Sequence, residues 1–456
     1  MNGFDLSYGD YDEMGQLISL TENQADFILL LHICIWKNNY NNKYFDLIKI
    51  LVDKIDNIDT QHNGVTALFL AAEKNQVDTC IYLITIGGAV VNETNANSHF
   101  PCHVAAQNNH VDILRLLVSQ GADIDCLTEH SATPLIISAY EGNLGALKVC
   151  IELGSDMELR TLQGVTALFI SSERGHVDCA QFLIMNGAKG DVVRVDGHQA
   201  IHMAAQNNHV EMVKLLASFG VDIDCLTTEQ KASPCIIAAY EGHVESLEAC
   251  IELGCDIERV TVQGVTALFI AIERGHIECT KYLLDKGADL RIQRDDNVTL
   301  LQMASQDTAI LRIVLDHDRE SPVINEDIIQ DIQNEESKQM IIEESDNRRR
   351  KVIFENFINH YIEYPIYREH IYSIALPDMR VFPTDWASAQ KVSHRYYFKE
   401  VLFYLHLYIA KINSKQSGIS NTSSLIQNMN ENDDKTYTIF NVMAGSIIEY
   451  LQPINF

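Results

Sequence analysis

Apolar residues between Asn63 and Asp295 recur at helical spacing in short runs that stop and restart. The segment Val262–Asp295 shows the pattern. VTALFIAIERG places Ala267, Leu268, Ile270 and Ala271 on one helical face and stops at Gly275. HIECTKYLLDKG then places Ile277, Tyr282, Leu283 and Leu284 on a second, closed by Gly287. Runs of this length and period predict two amphipathic helices joined by a tight turn. Glycine after the second helix suits the left-handed residue that ends it, a conformation most side chains resist. The stretches that follow such glycines, among them ADIDCLTEH, SDMELRTLQ and ADLRIQRDD, lose the helical period and predict a turn or hairpin into the next unit.

The residues that open the first helix of each unit are Thr66, Phe100, Thr133, Thr166, Gln199, Ser233, Thr266 and Thr299, spaced 33 or 34 apart. A longer period of 99 or 100 lies over this one. GVTALF occurs at Gly64–Phe69, Gly164–Phe169 and Gly264–Phe269, and HVAAQNNHV at His103–Val111 returns as HMAAQNNHV at His202–Val210. Three units therefore make one block, and fixed self-similarity of this kind predicts a solenoid whose units bury their apolar faces against neighbours.

A helix, turn, helix and hairpin in about 33 residues resembles the ankyrin repeat. The resemblance is carried by Thr133-Pro134-Leu135, the alanine pairs Ala105–Ala106 and Ala204–Ala205, the Gly-His turns at Gly175, Gly242 and Gly275, and the GAD triplets at Gly121 and Gly287. Seven units match, and an eighth, Asp296–Asp318, lacks both turn glycines and reads as a frayed cap. Upstream, Asp26–Lys37 and Tyr44–Lys54 are expected to form a degenerate first pair. The fold expected is mostly α. Capping helices occupy 1–61, the repeat array 62–315, an acidic connector ending in a basic patch 316–351, and a helical region 352–456.

The resemblance implies a protein-binding scaffold without an active site, with partners on the inner, concave face of the first helices and on the hairpin tips. The matching positions are Glu73 and Lys74, Gln107 and Asn108, Tyr140 and Glu141, Glu173 and Arg174, Gln206 and Asn207, Tyr240 and Glu241, Glu273 and Arg274. A charged pair, an amide pair and a tyrosine–acid pair recur in that order. Such groups hydrogen-bond and stack, and tyrosine is enriched among dominant contacts. The regularity suits an extended or repetitive partner. It also follows from recent duplication of a three-unit segment, which copies buried positions as faithfully as exposed ones. Family habit offers one alternative, a substrate receptor of a ubiquitin ligase with the tail as adaptor.

Composition narrows the partner class. The formal net charge is −29, which repels phosphate backbones and disfavours sequence-independent nucleic-acid binding. The 11 cysteines form no CxxC and no dense framework, which fits a reducing, cytoplasmic setting. Neither FILLLHICIW (Phe27–Trp36) nor Tyr396–Ile412, which contains Lys399, Glu400 and His406, reads as a membrane span. His176-x-x-Cys179 and His276-x-x-Cys279 put two metal-capable groups one turn apart, but zinc needs further ligands that neither copy supplies. Cys102 beside His103 is a conceivable nucleophile pair, yet adjacent helical residues diverge and the copy at Ile201–His202 has no cysteine. No cofactor motif is present.

Asp316–Asp346 carries eleven acidic against two basic residues, loses a steady helical pattern after Ile332 and reads as an acidic, partly helical linker. Arg348–Lys351 balances that charge, with nuclear import as the rival reading of so short a basic patch. Val352–Ile412 is tyrosine-rich and broken by Pro365, Pro377 and Pro383. An enzyme housed in 352–456 would have to draw on His360, Glu363, His370 and His394, whose spacing matches no familiar mechanism.

Overall fold

The computed structural model describes residues 11–38, 43–317, 332–345 and 348. The expectations for 352–456, including its helical character and the four candidate catalytic residues, lie outside the described residues. So do Arg349, Arg350 and Lys351 of the basic patch. The chain divides into two units, Met1–Met303 and Ala304–Phe456.

The first unit opens with α1 (Tyr11–Leu20), α2 (Gln24–Lys37) and α3 (Phe45–Val52). Helix α1 was not evident from the sequence; it buries Met14 and Ile18 and packs on α2 and α3. The repeated pairs follow: α4 (Ala67–Glu73) with α5 (Val77–Thr85), α6 (Pro101–Gln107) with α7 (Val111–Ser119), and α8 (Pro134–Glu141) with α9 (Leu144–Glu152). Next come α10 (Ala167–Arg174) with α11 (Val177–Met185), α12 (Ala200–Gln206) with α13 (Val210–Ser218), α14 (Pro234–Glu241) with α15 (Val244–Glu252), and α16 (Ala267–Arg274) with α17 (Ile277–Asp285). The division between the units falls within the eighth pair, α18 (Leu300–Ala304) and α19 (Thr308–His317). Among the described residues there is no strand, only isolated bridges such as Val193 with Gln199 and Gln293 with Thr299.

First helices stack on first helices from α2 and α4 to α16, and second helices stack on second helices from α3 and α5 to α17. Leu68, Leu168 and Leu268 are each buried to 1% exposure. Their helices α4, α10 and α16 are separated by two intervening first helices in each case. The core is therefore a row of similar layers, each closed by its neighbours.

The expected helix starts are the observed caps. Thr66, Thr133, Thr166, Ser233 and Thr266 are extended N-caps whose hydroxyls accept from the backbone N–H three residues on. This satisfies one of the donors that a helix start leaves without a partner. Phe100 and Gln199 lack such a hydroxyl. There the ring Nδ1 of His103 or His202 accepts the backbone N–H of the cap residue at 3.0 Å.

Five of the turns also serve the unit before them. A side chain 33 residues apart along the series reaches back to carbonyls at the end of the preceding first helix. His110 Nδ1 lies 2.9 Å from Ala72 O, Asn143 Nδ2 donates to Ala106 O at 3.1 Å, and His176 Nε2 lies 3.0 Å from Tyr140 O. His209 and His276 do the same for Glu173 O and Tyr240 O, at 3.1 and 2.9 Å. The ring of His176 lies over Gly142, where an added Cβ would come within 2.6 Å of Nδ1, so this position has room for glycine alone.

The hairpin tips are linked by hydrogen bonds from unit to unit. Leu162 N donates to His130 O and Val195 N to Gln163 O, both at 3.1 Å. Acidic side chains fix the segments behind them: Glu158 accepts from Lys189 N at 2.9 Å, Asp224 from Asp256 N at 3.0 Å and Glu258 from Asp289 N at 2.7 Å. Part of the acidic excess thus has a structural task.

In the second unit the segment expected to be a partly helical linker contains a helix over residues 335–345. Asn334 caps it, its Oδ1 accepting from Glu336 N and Ser337 N at 3.0 and 3.1 Å. The buried positions are Ser337, Ile341 and Ser345, spaced four apart with serine at two of three. A helix whose inner stripe is mostly serine leaves no apolar period to read. Arg348 Nε pairs with Glu344 at 2.9 Å, consistent with basic residues balancing the acidic run.

Candidate functional site

The fourteen candidate side chains all fall at the C-terminal ends of first helices, on their exposed or half-buried side. At Tyr140, Glu173 and Tyr240 the backbone carbonyl is held by a turn residue of the next unit, so these side chains project from fixed points. Helix ends α8, α10 and α12 enclose an open cleft of about 590 Å³ lined by Tyr140, Glu173, Arg174, Met203, Gln206, Asn207 and His209. Five candidates meet there. Met203 and His209 join them and were not anticipated.

The candidates inside and outside the cleft are organised by contacts, most of which recur at the 100-residue interval. Gln107 Nε2 approaches Glu141 Oε1 at 3.4 Å, and Gln206 Nε2 approaches Glu241 Oε1 at 3.4 Å. The Arg174 guanidinium stacks 3.8 Å from the Tyr140 ring centre, and Arg274 stacks 3.8 Å from that of Tyr240. Glu173 and Glu273 each lie 3.3 Å from an arginine, Arg194 and Arg294. Asn207 Nδ2 donates to Glu173 O at 3.0 Å, while Asn108 turns back to Val104 O of its own helix at 3.0 Å. Lys74 pairs with its neighbour Glu73 at 2.8 Å, so the first block lacks the stacked arginine of the other two.

Arg194 and Arg294 were missed. Each also holds an aspartate, Asp196 at 2.6 Å and Asp296 at 2.7 Å, and lies over Phe169 or Phe269. The hydrogen bond from Arg194 holds the Asp196 carboxyl well below the usual carboxylate range. The signal was available, because Arg194 and Asp196 return as Arg294 and Asp296 at the block interval.

The rival chemistries find other employment. His176 and His276 are bonded to carbonyls of the preceding unit, and Cys179 and Cys279 are buried with thiols pushed up to about 11 by that burial. All 11 cysteines are free, ten of them buried. An activated cysteine needs a lowered pKa, whereas burial pushes Cys80 up to about 12. His103 and His202 are fully buried. With Nδ1 accepting, each ring carries its proton on Nε2, which donates to a carbonyl, Cys126 O or Cys225 O, at 3.0 Å. No helix among the described residues is long and apolar enough to cross a membrane.

The family described as ankyrin repeats (3 copies) matches residues 31–128, 103–196, 135–228, 185–261 and 235–326, which together span more than half of the chain. The chain belongs to the ankyrin repeat family. Similar relatives include the ankyrin repeat protein OPG189 of Variola virus, 27% identical over 99 residues that make 21% of this chain and 18% of that protein. Ankyrin repeat domain-containing protein 49 of Bos taurus is 38% identical over 61 residues, 13% of this chain and 26% of the relative. The chain thus spans about a fifth to a quarter of the length of these relatives. Among solved structures, the human ASB11 ankyrin repeat domain aligns with a TM-score of 0.45 and 24% identity, over 48% of this chain and 98% of that domain. Ankyrin repeats imply a role in protein–protein interaction, and their fold is generally non-catalytic.

Proposed function

We propose that this protein is a non-enzymatic scaffold that binds partner proteins through the first-helix ends and hairpin tips of its repeat array. The observation that carries the reading is the cleft of about 590 Å³ between α8, α10 and α12, where Tyr140, Arg174, Gln206 and Asn207 converge. Clusters of aromatic, arginine and amide groups of this kind suit the energetic centre of an interface. Eleven free thiols fit a cytoplasmic setting for such a scaffold, and a net charge of −29 makes a nucleic acid an unfavourable partner.

The test is affinity capture from cells with the full chain, quantified by mass spectrometry. Tyr140 and Tyr240 are each 44% exposed, so Tyr140→Ala with Tyr240→Ala leaves the fold intact. Recovery of the specific partners should fall by about tenfold or more, the scale of a lost hot spot. A control variant, Arg115→Ala, removes an ion pair with Glu152 on the second helices and should leave recovery unchanged. Equal recovery by wild type and the tyrosine variant would refute the proposal.

A further inference from the structure

Four carboxylates surround the two tyrosine–arginine stacks, and each is directed to another partner. Glu141 and Glu241 face the amides of Gln107 and Gln206. Glu173 and Glu273 face Arg194 and Arg294. Arg174 and Arg274 are therefore left exposed with no hydrogen bond or ion pair among the described residues, although acidic residues outnumber basic ones 63 to 34. A guanidinium carries its five donors in its plane. Stacking on tyrosine occupies one face, fixes the orientation and leaves the edge open. An edge so presented matches a carboxylate, which it can bind through two parallel hydrogen bonds.

We propose that Tyr140 with Arg174 and Tyr240 with Arg274 are two equivalent carboxylate-reading positions, and that the partner is an acidic protein segment presenting an Asp or Glu side chain to each. The proposal rests on the scaffold reading and names the chemistry of its partner. Glu141 and Glu173 on the same surface penalise a doubly charged phosphate more than a singly charged carboxylate. Met203 in the cleft offers apolar contact to a residue beside the acid. The two positions are three units apart, about 24–30 Å at about 8–10 Å per helix-to-helix step.

The test follows the side-chain Nε–H signals of the full chain labelled with nitrogen-15 arginine. One probe is a short peptide with a single Glu-Leu step. A second joins two such steps by a Gly/Ser linker of about 24 residues, whose mean span matches that separation. A third pair of probes has Gln for Glu. The Glu probes should shift Arg174 and Arg274 saturably and leave Arg115 unmoved, with the Gln probes at least tenfold weaker. The two-step probe should bind at least threefold more tightly than the one-step probe, beyond the twofold statistical gain, and Arg274→Gln should abolish that advantage. Equal binding of Glu and Gln probes, equal movement of Arg115, no shift at all, or a larger response to inorganic phosphate would each overturn the proposal. Equal binding of Glu and Gln probes that is lost on Tyr140→Ala would reject carboxylate reading while leaving the scaffold reading standing.

Discussion

Replacing Phe169 by alanine should destabilise the array by about 3–5 kcal/mol, the usual cost of deleting a buried phenylalanine together with the cavity it leaves. The ring is 1% exposed and is roofed by the Arg194 guanidinium 5.5 Å from its centre. Phe269 repeats both features, at 0% exposure and 5.6 Å from Arg294, and Phe269→Ala should cost as much. Phe69 occupies the same place in the first block but is 6% exposed and has no arginine above it among the described residues. Its replacement should therefore cost less, by about 0.5–1 kcal/mol for the missing cation–π contact. Because each layer rests on its neighbours, the loss is best read locally, by hydrogen exchange under mild urea. Protection should fall first in α8 to α13 and last in α2 to α5. Uniform loss across the whole first unit, or a cost below about 1 kcal/mol, would count against stacked layers.

Acid should weaken the same array through His202. Burial, aided by the nearby His198, pushes its imidazole down to about 4 against the hydrogen bond to Cys225 O. The folded ring stays neutral with Nδ1 accepting from Gln199 N, where a proton would point at a donor. In the unfolded chain the ring titrates at the ordinary value of about 6.5. Below that pH the unfolded state takes up a proton that the folded state refuses, so stability falls as pH falls. The slope is about 1.4 kcal/mol per pH unit. The loss attributable to this one residue should reach about 3 kcal/mol near pH 4, and it should be absent above about pH 7. The eighth unit supplies the control. Gln302 occupies the equivalent position, and its Oε1 accepts the backbone N–H of Thr299 at 2.9 Å. His202→Gln should keep the cap, remove the titration and flatten urea-derived stability between pH 6.5 and 4 relative to wild type. Parallel pH profiles for the two proteins would rule out this role for His202.

The array was legible because its physics is local and repeated. The first helices from α4 to α16 each start with a cap or cap substitute, the second helices from α5 to α17 each close with a glycine, and the apolar period restarts about every 33 residues. The contacts across units were harder to see. Side chains such as His176 read as turn residues, and nothing in a single unit announces that the ring nitrogen serves Tyr140 O one unit back. Arg194 sits in a stretch without helical period, so its link to Glu173 was visible only through the copy at Arg294. Helix α1 escaped notice, and the helix over residues 335–345 was legible only as part of a partly helical linker, for a different reason. Their buried stripes are short, two residues in one and a serine-rich trio in the other, too little to produce a period. For the candidate surface, the positions were readable but the pairing was not. Tyr140 was visible as an aromatic, while its stack with Arg174 depends on how closely α8 and α10 pack.

The most direct measurement is hydrogen exchange of the full chain, alone and loaded with its captured partner. Slower exchange should appear at the ends of α8, α10, α12, α14 and α16 and in the turns that follow them, with the outer faces of α9, α11, α13 and α15 unchanged. Protection confined to those second helices, or to residues 352–456, would contradict recognition through the first-helix face.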